Sequence, residues 1–310
     1  MFKLLDRKGS LVTTGVFSDE NGTAVARIRN AGKSHPELLS CEFEPISADD
    51  AESSGRFVKK QDLGKQACST LLNVGEYQLF VVDAPEVPPQ ELRAAVRWKI
   101  QDLIDFHIDD AVVDVFDAPP GGPAGTLEQM YVVVARNETI RKHIDALERF
   151  GVNLKTIDIP ELAMRNLAAR LPEDEFGLVT LHLGRHQCLI TLTRQATLFL
   201  TRTVDFNYDD LKGSPQHAAE LGNRLALEIQ RSLDYYEQHF HKAAIQSIAI
   251  IPPSDPIDGL DGALQSALGL KTRSLALGDV VDSHREPDIE SAATCTLAVG
   301  CALRVETKTL

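Results

Sequence analysis

The sequence predicts a mixed α/β protein of two domains, and three observations carry this. Its 310 residues exceed a single ordinary core and suit about two domains of roughly 100–200 residues each. Strand-sized apolar runs, such as 77–82 and 245–251, alternate with amphipathic helices opened by proline. Short polar turns join several of those runs as hairpins, adding antiparallel pairs to the crossover pattern.

Taken in order, residues 10–17 and 23–29 read as two strands about the turn 19–22, where Asp, Asn and Gly supply turn chemistry. Residues 47–65 are polar and read as a surface excursion. A compact apolar strand follows at 77–82. Pro88 and Pro89 then open a helix, since proline lacks an N–H that the first turn would leave unused. Its apolar positions Leu92, Val96, Ile100 and Leu103 recur at three- and four-residue spacing, with Trp98 off that stripe. Arg93, Arg97 and Lys99 take the opposite face, and the helix ends near Asp105 and Phe106. Strands at 112–116 and 130–134 flank a Pro- and Gly-rich loop at 117–126. Asn137 caps a helix with the face Ile140, Ile144 and Leu147, and Gly151 stops it. A strand at 155–159 leads into a helix from Pro160 through Leu171, closed by Pro172.

The second half opens with a meander of three strands at 177–183, 188–193 and 197–205. A loop at 207–215 precedes a long helix marked by Leu221, Leu225, Glu228, Ser232, Tyr235, Tyr236 and Phe240. A buried strand at 245–251, a helix at 257–268, a short strand at 271–274 and a helix of small residues at 291–303 complete the chain.

Charge and composition exclude several classes. The 45 Asp and Glu against 32 Lys and Arg give a net charge of −13, and no basic cluster offers phosphate contacts, so a nucleic-acid partner is not expected. At 43% hydrophobic and 25% charged residues, the chain is ordinary for a globular protein. Charges interrupt the first eight residues, so no secretory leader is expected. No run approaches the roughly 20 apolar residues of a membrane helix. The expectation is a cytoplasmic chain without membrane insertion of its own. Five widely spaced cysteines, with no CxxC, suggest neither a disulfide framework nor a zinc ribbon.

The remaining constellations read blandly. His182, His186 and Cys188 are metal-ligand types, yet the two histidines lie across a tight turn with no fourth ligand at motif spacing. His239 and His241 sit at a helix end, where positive charge complements the dipole. Cys295 and Cys301 lie on a helix of small residues, where close packing explains them. No GxSxG, P-loop or HExxH occurs. The sharpest charge feature is the series Asp102, Asp105, Asp109, Asp110, Asp114 and Asp117.

Three stretches carry a resemblance. Residues 77–85 (YQLFVVDAP) lead into the helix 87–106, and the run 95–114 (AVRWKIQDLIDFHIDDAVVD) is the most specific. Residues 228–237 (EIQRSLDYYE) and 297–304 (LAVGCALR) follow in order. Together they resemble the PilM family, the actin-like proteins of type IV pilus assembly, and most closely its MSHA branch. The resemblance implies an actin-like (RNase H-like) fold. Domain 1 would span 1–158, with an inserted subdomain at 85–158, and domain 2 would span 159–287. The helix 288–310 would return to domain 1. It also implies a partner: a PilN-like (MshJ-type) single-pass inner-membrane protein, docked through its cytoplasmic N-terminal tail, with other platform components beyond it.

Actin-like ATPases need an acidic residue in each of two domain-opening hairpins to hold magnesium and position water. They also need glycine turns that bring backbone N–H groups to the phosphates. Here 11–17 (LVTTGVF) keeps Gly15 but has no carboxylate, and Asp19 reads as a turn residue. In 180–184 (TLHLG), His182 stands where the acid belongs and Gly184 survives. After the strand 245–251, Pro252 and Pro253 replace consecutive glycines. The expectation is a degenerate site that binds ATP weakly or not at all, a chain that is not an enzyme, and no cofactor or metal. Cytoplasmic tails of membrane proteins carry excess Lys and Arg. An apolar groove at Leu92, Val96, Ile100 and Leu103, rimmed by Asp105, Asp109 and Asp110, would therefore suit such a tail. The rival readings are an ATP-binding relative whose nucleotide state controls partner binding, an actin-like sugar kinase or phosphatase, and a type II secretion L-type scaffold. The last normally continues into a membrane helix, whereas this sequence stops at Leu310.

Overall fold

The computed structural model describes residues 12–45, 51–120, 128–206, 208, 215–283, 288 and 291–305. In chain order, β1 (Val12–Ser18), β2 (Gly22–Arg29) and β3 (Glu37–Pro45) form an antiparallel meander. Helix α1 (Ala51–Lys60) crosses to β4 (Cys68–Leu71), which pairs parallel with β1. A smaller unit follows: β5 (Tyr77–Asp83), α2 (Pro89–Ile100), β6 (Ala111–Asp117), β7 (Gln129–Arg136) and α3 (Asn137–Glu148). Its sheet has the order β5-β7-β6. The chain returns as β8 (Leu154–Asp158), parallel to β4, and continues into α4 (Pro160–Ala168).

The second half repeats the plan. A meander of β9 (Leu178–Leu183), β10 (Gln187–Arg194) and β11 (Thr197–Asp205) precedes α5 (Pro215–Phe240). Then come β12 (Ser247–Ile251), α6 (Leu260–Leu268), β13 (Lys271–Ser274) and α7 (Ala292–Ala302), with β12 parallel to both β9 and β13. The two five-stranded sheets run β3-β2-β1-β4-β8 and β11-β10-β9-β12-β13, which is the same order twice.

Strand alternation distributes the core. In the first sheet Val16 and Val25 point to one face, where Phe57, Val58, Leu63 and Val152 cover them. Phe17, Ala24 and Ala26 point to the other, where α7 lies. In the second sheet Val179, Leu181 and Ile190 face α5 and α6, while Leu178 and Leu189 face α4. The closing helices are thus exchanged. Helix α7, from the second half, packs on the first sheet, and α4, from the first half, packs on the second. Between them α4 and α7 meet.

That sandwich explains why α7 is apolar all round, with every one of its residues buried. It also fixes two glycines. A Cβ on Gly15 would lie 2.2 Å from the Ala298 carbonyl oxygen and 2.7 Å from the Ala302 nitrogen. A Cβ on Gly300 would lie 2.6 Å from the Ala163 carbonyl oxygen. One glycine lets α7 approach β1, and the other lets it approach α4.

Several expectations are corrected. Residues 51–60 of the expected surface excursion form α1, because the adjacent Phe57 and Val58 suffice to seat a mostly polar helix. Strands β3 and β4 were not expected; β3 carries Glu37, Glu42 and Glu44, and β4 has only four residues. Helix α2 stops at Ile100, short of Asp105, and the Leu103 N–H bonds back to the Ile100 carbonyl. Asn137 is the first helical residue of α3, while Arg136 occupies the cap position. The inserted unit runs from β5 to α3 rather than over 85–158, since β5 pairs with β7 and β8 joins the first sheet. Most of the expected loops at 117–126 and 207–215 lies outside the described residues, as do residues 306–310 of the expected returning helix.

Candidate functional site

The two meanders direct their first turns at each other across a cleft of about 470 Å³. One wall is the β1–β2 turn with Asp19, Glu20 and Asn21, and the other is the β9–β10 turn with Gly184, Arg185 and His186. Asn73, Pro160 and Ala293 close the sides. A smaller recess of about 130 Å³ adjoins it, between Arg185, Tyr208 and the segment Pro253–Asp255.

The carboxylates of the cleft are already engaged. Asp19 Oδ1 accepts from the Asn21 and Gly22 N–H groups at 2.9 and 3.1 Å, and Oδ2 accepts from Thr294 Oγ1 at 3.0 Å. Asp19 is therefore a turn residue, and it also ties the turn to α7. Glu20 reaches across the cleft to within 3.9 Å of His186 Nε2. Burial raises the Glu20 carboxyl, and His186 and Arg185 oppose that rise. Phe17, at the end of β1, is buried in the wall.

His182 lies at the end of β9, facing the cleft and 8% exposed. Burial pushes its imidazole down to about 4, so the ring is neutral near pH 7, and Nδ1 meets no hydrogen-bond partner. Gly184 sits in a tight turn closed by its own N–H bonding to the Gln187 carbonyl at 3.0 Å. Pro252 follows β12, and Pro253 lines the recess without an N–H to offer. Gly15 is outside the cleft: it lies under α7, a packing glycine rather than a phosphate-turn glycine. Among the described residues no group of three or more His, Cys, Asp or Glu side chains could hold a metal ion. His186 is exposed and Cys188 is buried in the second core. His239, in the last turn of α5 as expected, stacks on Tyr235 and packs edge-on to Phe240.

The expected tail groove is altered more. Val96 and Ile100 are 0% exposed, packed on Val115, Met130, Val132 and Val134, so this stripe seats α2 on its own sheet. Leu92 is half-buried in the same cluster. Leu103 is 53% exposed and Trp98 is 74% exposed, and these two present the apolar surface of this segment. The acidic rim is partly compensated. Asp105 pairs with Arg136 at 3.5 Å, Asp114 with Arg93 at 3.2 Å, and Asp109 with Arg97 at 4.0 Å. Asp109 and Asp110 are both exposed at the turn before β6.

Sequence reasoning missed a second groove, of about 520 Å³, between the inserted sheet and the edge strand β11. Leu79, Val81 and Tyr131 face Phe199, Tyr235 and Phe240 across it, and Tyr131 Oη donates to the Phe199 carbonyl at 3.0 Å. The aromatic run near the end of α5 was its one sequence signal.

A duplicated five-stranded sheet with exchanged closing helices and a cleft between its first turns defines the actin-like ATPase fold. The solved structures that share it include a PilM–PilN type IV pilus biogenesis complex, with TM-score 0.72 at 19% identity over 96% of this chain and 98% of that one. The cytoplasmic domain of EpsL, an inner-membrane component of the type II secretion system of Vibrio cholerae, matches with TM-score 0.52 at 12% identity over 94% of each chain. A Bacteroides thetaiotaomicron protein of actin-like ATPase fold and unknown function matches with TM-score 0.52 at 8% identity over 94% of this chain and 99% of that one. No protein-family model matches the chain, and no curated protein matches it in sequence. Among the described residues no helix is long and apolar enough to cross a membrane.

Proposed function

We propose that this chain is a non-enzymatic scaffold of a type IV pilus assembly platform, of the MSHA type. It docks the cytoplasmic N-terminal tail of a PilN-like (MshJ-type) single-pass inner-membrane protein and so lies in the cytoplasm beside that membrane. The observation that carries this reading is the likeness to the PilM–PilN complex structure, which extends over both domains and the inserted unit. The cleft supports the non-enzymatic part. Asp19 is occupied by turn amides and Thr294, β1 carries no carboxylate, and a neutral His182 stands where an actin-like ATPase places its second magnesium acid. We assign the tail to the segment from α2 to β6, where Trp98 and Leu103 offer apolar contact and Asp102, Asp109 and Asp110 offer steering charge. The test is titration of the full chain with a synthetic tail peptide carrying Lys and Arg beside Leu or Ile. Reversing Asp109 and Asp110 to Lys should weaken binding, most at low salt. Equal affinity of both proteins at low salt would remove this surface from the reading.

A further inference from the structure

Two of the five cysteines stand apart from the rest. Cys41 lies on β3 and Cys295 in α7, elements that pack together over the first core. Cys41 Sγ lies 3.9 Å from the Cys295 carbonyl oxygen, to which its thiol donates. Cys68, Cys188 and Cys301 are buried, and burial raises each of their thiols. Cys41 is half-buried and Cys295 is buried beneath it.

We propose that Cys41 and Cys295 form a dithiol redox site whose oxidised state is an intramolecular disulfide and whose oxidant is a hydroperoxide as small as hydrogen peroxide. The neighbouring Cys41 side chain lowers the Cys295 thiol against the burial that raises it, while Cys41 itself is raised. Cys295 is therefore the attacking sulfur and Cys41 the resolving one. The Cys295 thiolate attacks one peroxide oxygen. The O–O bond breaks, and hydroxide leaves and takes up the thiol's proton as water. This leaves Cys295 as a sulfenic acid. The Cys41 sulfur then attacks the Cys295 sulfur, the S–O bond breaks, and the hydroxyl leaves with the Cys41 proton as a second water. Two thiols lose two electrons in all, and the peroxide gains them.

The position gives the bond a consequence. The neighbouring Thr294 holds Asp19 of the β1–β2 turn, and Ala293 lines the cleft between the domains. A Cys41–Cys295 disulfide fixes this first turn of α7 to β3. It also closes a loop that spans most of the chain, where cross-links restrict the unfolded state strongly.

The experiment is peroxide treatment of the purified full chain, alkylation of free thiols after denaturation, and peptide mapping. The expected result is one linked peptide pair, Cys41 with Cys295, with the other three cysteines alkylated. The oxidised chain should melt higher by on the order of 5 °C, and a dithiol reductant should reverse this. Cys41→Ser and Cys295→Ser should each abolish the link and the melting shift. Mapping of the unmutated chain decides the matter even where a variant folds poorly. Both thiols recovered as free, or oxidised singly, or a link through another cysteine, would each overturn the assignment.

Discussion

Tyr77 Oη donates to Glu161 Oε2 at 2.5 Å, joining the first strand of the inserted unit to the first turn of α4. The acceptor is 4% exposed. Beside it Asp158 bonds Arg304, just past α7, so strands from both units and both exchanged helices meet at one polar junction. Burial pushes the Glu161 carboxyl up from 4.5 to about 7, against the Tyr77 bond that would hold it down. Below about pH 4.5 the folded and unfolded states both keep the proton. Between 4.5 and 7 the unfolded chain releases it first, so this group lowers stability as pH rises. His182 acts oppositely. Its imidazole falls from 6.5 to about 4 in the fold, so the unfolded chain takes the proton first as pH drops through that window.

Each of these displacements corresponds to about 3 kcal/mol, with opposite sign over nearly the same pH range. Melting temperature of the unmutated chain should therefore vary little with these two groups between pH 4.5 and 6.5. Glu161→Gln keeps an acceptor for Tyr77 and should make stability rise with pH, whereas His182→Gln should make it fall. Parallel pH profiles for the two variants would contradict both assignments.

The closing helix admits no Cβ at Gly15. Because the obstructing atoms are the backbone of Ala298 and Ala302, repacking of a side chain cannot relieve the contact. Gly15→Ala should destabilise by about 3 kcal/mol or more in urea titration, at the upper end of overpacking costs. Gly262, on α6 with open space around its Cβ position, is the control. There alanine should stabilise by up to about 1 kcal/mol, as in any exposed helix interior.

The cleft should be indifferent to nucleotide. A ligand at about a hundred times its dissociation constant raises stability by roughly 2.7 kcal/mol, which thermal melting detects readily. Millimolar ATP with magnesium is expected to leave the melting temperature unchanged. A rise of several degrees would restore the reading in which nucleotide state controls partner binding.

What could be read from the sequence followed from local chemistry. Pro160 announced α4, and the alternating runs at 177–205 announced the second meander, because each pattern reports one element's own packing. The exchange of α4 and α7 entered only through the resemblance, which gave 159–287 to one domain and returned 288–310 to the other; an all-apolar helix by itself shows that it is enclosed and not by what. Gly15 was misplaced for the same reason: a glycine in a strand signals a close approach, and only the tertiary fold shows that α7 rather than a phosphate makes it. The Leu92, Val96 and Ile100 stripe was real, but its cover is the inserted sheet rather than a partner.

The two faces of α2 should separate fold from binding. Ile100 is fully enclosed, and Ile100→Ala should cost on the order of 2–5 kcal/mol through lost transfer energy and a cavity. Trp98, at 74% exposure, contributes little to the core, so Trp98→Ala should change stability by no more than about 0.5 kcal/mol. If a basic tail docks on this segment, that same substitution should weaken peptide binding, because exposed aromatics are frequent anchors of interfaces. Calorimetric titration of the peptide into the Trp98→Ala chain, beside its urea unfolding curve, reads both quantities. Lost binding with unchanged stability supports the tail surface at α2, and unchanged binding moves it elsewhere, with the groove between Val81 and Tyr235 as the next place to substitute.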